Sequence, residues 1–304
     1  MKHRIDSVKN RTLRSFSVLR AYFTLPFSPK TVPSVYPLFG VILKDFFFLQ
    51  FFEKWHIYKI PVVHVDHPLD QKVPFTPERV DIYFDFINIW IRPLSMLLAR
   101  FGLKKGLPLC REWIDRLKKT YKEAGRFYRF CLSTTDRPKY KKSAAFLKIH
   151  LFDPHFCCVP SLHIAIVVLC FAFYRDLFER KDFTDEEKSR WNAELYENAV
   201  AIAETVLYVK QHSVNCIPAA LYMMTKIHSD IIDTDMCIDF INALFREQTD
   251  ISEEDKREIN KHIQYMYERF FLEGLHYEDW REPVQRWISN YEELKKSSDL
   301  SDLL

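Results

Sequence analysis

His163 follows Pro160 and Ser161 in the run VPSLHIA, and His212 lies in VKQHSVNCIPAAL. An imidazole can attack phosphorus or pass a proton near neutral pH, so two of them among basic residues suit phosphoryl transfer without a metal. That reaction needs a nucleophile, a proton donor for the leaving oxygen, and cations or amides to hold the equatorial charge. Ser161 at a helix start can offer a hydroxyl and backbone amides to a phosphate, and His163 one turn in can protonate a leaving alkoxide. Arg137, followed by Pro138, is permanently charged and able to grip two oxygens. Lys210, just ahead of His212, is a second cation. Each has an ordinary reading as well. Ser161 can be a plain helix cap before a buried histidine, Lys210 and His212 polar positions on a helix, and Arg137 a surface residue in a basic loop.

Taken in order, three stretches between about Arg137 and Ala220 resemble the three signature elements of the type 2 phosphatidic acid phosphatase superfamily. VPSLHIA resembles its Pro-Ser-x-His element, in the form with Leu at the variable position that serves lipid phosphotransferases as well as phosphatases. VKQHSVNCIPAAL resembles the closing His-x-x-x-Asp element, and Arg137-Pro138 resembles the end of the first. DQKVPFTPERVDIY is similar to the connection before the second helix in membrane-bound members. The resemblance implies an all-α fold, a helical bundle of the type 2 phosphatidic acid phosphatase/haloperoxidase type with several membrane-embedded helices, multi-pass in the cell membrane. It implies a phosphatase or phosphotransferase acting on a phosphate-bearing lipid, with His212 the nucleophile that becomes phosphohistidine and His163 the general acid. Arg137, Lys210 and Ser161 become the phosphate contacts, and neither a cofactor nor a metal is called for.

The pattern departs in three places. Phe130 stands where the first element has Lys, with Arg129 beside it, and Thr205 and Val206 stand where the third has Ser-Arg. Cys216 occupies the place of the Asp that orients the nucleophile, with Asn215 next to it as the other candidate for holding the ring. A carboxylate there fixes the tautomer and stabilises the imidazolium. These departures carry a second reading, a catalytically degenerate member that binds a phosphate-bearing lipid or serves structurally. A third keeps the chemistry without the membrane, because soluble acid phosphatases and vanadate-dependent haloperoxidases share the helical core; a cytoplasmic place would go with it.

Helices must bring these residues together. With 5 Gly against 26 Phe and 15% aromatic residues, the composition disfavours Gly-rich nucleotide loops and disorder. An apolar stretch from Val35 to Phe52 is long enough to cross a bilayer but has Lys44 and Asp45 at its middle. A second, Tyr83 to Leu98, is interrupted by Arg92 and Pro93. Residues 103–149 hold too many Lys and Arg for a span but allow amphipathic helices. Pro160 to Tyr174 reads as a buried helix with Pro in its first turn. Ala193 to Ile227 reads as one helix kinked or divided at Pro218. The expected divisions are a basic segment 1–33, a helical core 34–227 and a polar helical extension 228–304.

The formal charge of +3 suits phosphate or an anionic membrane face without demanding either. The basic amino-terminal segment lacks a cleavable-signal pattern and fits a cytoplasmic end. Seven cysteines without a C-x-x-C pair read as reduced, mostly buried thiols. His155, Cys157, Cys158 and His163 make a poor metal set, since adjacent cysteines place their thiols badly for one ion. Arg137, Lys139, Lys141 and Lys142 lack a nucleic-acid-binding motif, so no nucleic-acid partner is expected.

Overall fold

The computed structural model describes residues 8–138, 140, 146, 148 and 153–296, so Lys139, Lys141 and Lys142 of the basic cluster lie outside the described residues. The chain is mostly helical, with one short parallel strand pair. Helix α1 covers Val18–Thr24 and α2 covers Val32–Ile42. A π-helical turn, Leu43–Phe47, joins α2 to α3, Phe48–Lys54. The first apolar stretch is therefore helical through its charged middle. Asp45 turns inward to pair with Arg129, while Lys44 stays exposed.

Strand β1 (Val62–His64) leads through a 3-10 turn, Pro68–Lys72, to α4, Val80–Tyr128. This helix doubles back on itself at Gly102, whose φ of 68° and ψ of 177° fall in a region open almost only to glycine. The two arms, 80–101 and 103–128, run side by side. Cys110 donates from Sγ to the Leu94 carbonyl at 3.7 Å, and the Trp90 and Trp113 rings lie 6.4 Å apart. At Gly106 the arms approach so closely that a Cβ would sit 2.9 Å from the Leu97 carbonyl oxygen. The second arm is an amphipathic helix of the kind its charged sequence allows, burying Cys110, Trp113, Ile114 and Leu117.

Strand β2 (Leu132–Thr134) pairs in parallel with β1. Helix α5, Leu162–Arg180, begins one residue after its cap, Ser161, which accepts from the Ile164 amide. Pro160 thus precedes the cap instead of occupying the first turn. Helix α6 runs Asp185–Tyr208 behind a Thr184–Glu187 capping box, and α7 runs Cys216–Ile227. The expected single helix from Ala193 to Ile227 is broken earlier than Pro218, by a loop at 209–215 in which Lys210 adopts a left-handed φ of 52°. Pro218 itself lies in the first turn of α7, where backbone N–H groups have no intrahelical partner to lose.

Helices α8 (Thr234–Ala243), α9 (Glu253–Glu273) and α10 (Arg281–Lys296) complete the described residues. They do not form a separate layer: one buried core runs from Val8 to Tyr291. The Thr225 and Tyr267 hydroxyls join α7 to α9 at 2.9 Å. The amino-terminal segment is anchored too, since the Leu13 and Arg14 amides donate to the Glu194 carboxylate on α6 at 2.7 and 2.8 Å.

Candidate active site

The first turn of α5 and the 209–215 loop place His163 and His212 against each other. His163 Nδ1 and His212 Nε2 are 3.2 Å apart, and Ser161 Oγ is 3.4 Å from the same His212 nitrogen. Tyr83 and Phe86, from the first arm of α4, set their rings 4.9 and 4.6 Å from the His163 ring. His212 is buried and His163 is open on one side to a cavity. Burial disfavours the imidazolium at both: His163 is lowered to about 4, and His212 lies well below the ordinary histidine range, helped by His163 and by the Arg137 charge. Both rings are therefore neutral at pH 7. His212 Nδ1 has no partner at hydrogen-bonding geometry, although the Cys158 carbonyl is the group that favours a proton on the ring.

Arg137 does not itself line the cavity; the lining residue Asp153 holds it, and its charge bears on His212. Its Nη1 donates to the Asp153 carbonyl at 3.2 Å and its Nη2 to the Asp153 carboxylate at 3.1 Å, while Nε, buried, has no partner. Lys210 is turned elsewhere: its ammonium donates to the carbonyls of Asp70 and Val73, and it does not line the cavity. Those bonds staple the 209–215 loop to the 3-10 turn, as does the Val214 amide donating to Asp70 Oδ1 at 2.8 Å.

Neither residue at the orienting position reaches His212 as a carboxylate would. Asn215 donates from Nδ2 to the Val65 carbonyl at 3.1 Å and to Tyr291 Oη at 2.9 Å, and its Oδ1 meets His262 Nε2 at 2.8 Å. Cys216 is fully buried; its Sγ accepts from the Ser213 amide at 3.4 Å and contacts the Cys158 thiol. Arg129 is committed to Asp45, and Phe130 is exposed.

Sequence reasoning missed Asp153 and passed over His155 except as a metal ligand. His155 takes a left-handed φ of 70°, meets Thr135 Oγ1 at 2.7 Å through Nε2, and sets its ring 6.4 Å from that of His212. The strand pair positions this corner: Ser133 Oγ accepts from the Val159 amide at 2.7 Å, and Thr135 follows β2 directly. All seven cysteines are buried free thiols. Among the described residues, the one set of three side chains able to converge on an ion is His64, Asp66 and Asp136, near the surface and distinct from the set weighed from sequence.

The histidines open onto a cavity of about 730 Å³ whose walls are overwhelmingly apolar. It follows the first arm of α4 from Tyr83 through Phe86, Trp90 and Leu94 and is closed opposite by α1, α2 and the π-helical turn. Those positions along α4 span about 16 Å at 1.5 Å per residue. Asp153, His155, His163 and His212 supply a polar end.

No family model, curated protein or solved structure matches the chain. Two helical segments, Val32–Lys54 and Pro77–Tyr128, are long and apolar enough to cross a membrane by length and composition, weak evidence of membrane association.

Proposed function

We propose that the chain is a phosphatase or phosphotransferase of the type 2 phosphatidic acid phosphatase kind, acting on a lipid phosphate ester at a membrane. The observation that carries this reading is the His163–His212 pair at the polar end of a long apolar cavity: reacting nitrogens meet a space shaped for acyl chain. His212 Nε2 attacks phosphorus and the ester P–O bond breaks; the leaving alkoxide takes a proton from His163. Water or another alcohol then takes the phosphoryl group from His212. Nε2 of the neutral His212 ring directs its lone pair at phosphorus, and the arriving phosphate dianion raises the proton affinity of His163, which takes up a proton from water before passing it to the alkoxide. The phosphoryl group must enter where the two rings now touch, and the open side of His163 gives it room. Arg137 clamps the phosphate by exchanging Asp153 for its oxygens. Lys210 has no part in this scheme.

The test is phosphate release from lipid phosphomonoesters in detergent micelles, without added metal. His212→Ala is expected to abolish release, and His163→Ala to lower it by roughly 100- to 10,000-fold. Activity that survives His212→Ala intact would sink the mechanism. The commitment of Asn215 and Cys216 away from His212, which leaves the orienting position without a carboxylate, favours a second reading, a lipid-phosphate binder without turnover. Micelle binding by a folded protein that releases no phosphate from any substrate would select it.

A further inference from the structure

The cavity does not end inside the protein. Tyr22, Phe39, Leu43, Phe47, Phe84 and Ile87 line it and are also exposed, so its mouth merges with an apolar surface. The neighbouring segments 18–30 and 48–55 expose further apolar rings, Phe23 and Phe27, 72% and 73% exposed, and Phe48 and Trp55. Single exposed apolar side chains are ordinary; a continuous set around a cavity mouth marks an interaction site.

Charge identifies what covers it. The second arm of α4 packs beside α2 and the π-helical turn, with Phe46 and Tyr121 in edge contact and Asp45 paired to Arg129. It exposes Lys104, Lys105, Lys119 and Lys122, and also Arg111 and Arg126, which pair with Asp115 and Glu123 on the same arm. Lys30 and Lys44, on the segments that carry the exposed apolar rings, are exposed as well, and Lys30 Nζ lies 3.5 Å from the Lys104 carbonyl oxygen. An apolar face rimmed by basic side chains matches the acyl boundary and headgroups of an anionic leaflet. The same charges oppose a crossing. Lys44 is exposed at the middle of the Val32–Lys54 segment, and the basic arm would have to share the hydrocarbon with its partner arm. Helix α6 likewise exposes Asp185, Glu186 and Glu197.

We infer that the protein docks on one anionic leaflet through this face, without crossing the bilayer, and admits lipid sideways through the mouth between α2 and the first arm of α4. Docking is read without turnover, so its failure is distinguishable from failure of the phosphoryl-transfer reading.

The experiment is sedimentation of the purified full chain with phosphatidylcholine vesicles, with and without phosphatidylserine. Expected are preferential binding to the anionic vesicles, weakening with salt, and release by an alkaline carbonate wash. Lys104→Glu, Lys105→Glu and Lys122→Glu combined should lower anionic partitioning by roughly 100-fold. Phe23→Ser with Phe27→Ser, both on exposed positions that do not line the cavity, should weaken binding to both compositions. Retention in the carbonate pellet would overturn the proposal in favour of a crossing. Failure to bind either vesicle would overturn it too, with a dimer in solution identifying a second copy as the cover.

Discussion

Replacing Asn215 with Ala is expected to cost about 1–3 kcal/mol, because it removes one hydrogen bond each from the Val65 carbonyl, Tyr291 Oη and His262 Nε2 in a buried network. Its signature is a lowered Tm with little change in kcat for the protein that remains folded. A side chain orienting His212 would instead give lost kcat at unchanged Tm. Cys216→Ser should likewise leave turnover within a few-fold, since the thiol bonds the Ser213 amide and not the imidazole. The pairing of His163 with His212 was legible because each sits in a recognisable run, VPSLHIA or KQHS. The fate of Lys210 was not legible. Residue type announces a cation but not its direction, and the carbonyls of Asp70 and Val73 that take its protons leave no mark in the sequence. Asp153 was hidden similarly: a lone acid in a basic stretch gains meaning only when folding brings Arg137 against it.

The hairpin within α4 depends on two glycines for different reasons. Gly102→Ala puts a side chain on backbone at φ 68° and ψ 177°, a cost of about 1–3 kcal/mol. Gly106→Ala drives a methyl into the Leu97 carbonyl and should cost about 1–3 kcal/mol by prising the arms apart. Chemical denaturation of the two variants checks both values, and only Gly106→Ala should also loosen the cavity wall and raise KM. The sequence marked the first arm as an apolar stretch, Tyr83 to Leu98, and allowed the second only as an amphipathic helix, and the reversal between them lay in one residue, Gly102, below what periodicity can register. The break between α6 and α7 was misplaced for a related reason. Pro218 looks like a breaker, but in a first turn it breaks nothing, and the stapled 209–215 loop ends α6 instead.

Across the whole molecule, buried histidines set the response to pH. His67 and His163 are lowered to about 4 and His228 to about 3, mainly by burial. The unfolded chain binds protons at these sites below about pH 6.5 that the folded chain refuses, so their contribution is full above that pH and is lost as pH falls towards 4. Asp70 opposes this trend: burial raises it to about 6, and its penalty is relieved as pH falls below that value. With His212 there are four lowered histidines, against two raised carboxyls, Asp70 and Glu204, so Tm should be lower at pH 5 than at pH 7.5, and His228→Asn should flatten part of that slope.

The same network that fixes Asn215 reaches the far end of the described chain, where Tyr291 on α10 donates to the Asp66 carbonyl at 2.8 Å and accepts from Asn215. A ribosome synthesises residue 291 long after the histidines. The loop bearing His212 therefore lacks its last brace until α10 has cleared the exit tunnel, so while the residues between His212 and Tyr291 are being made the nascent chain carries both histidines with the His212 loop incompletely held.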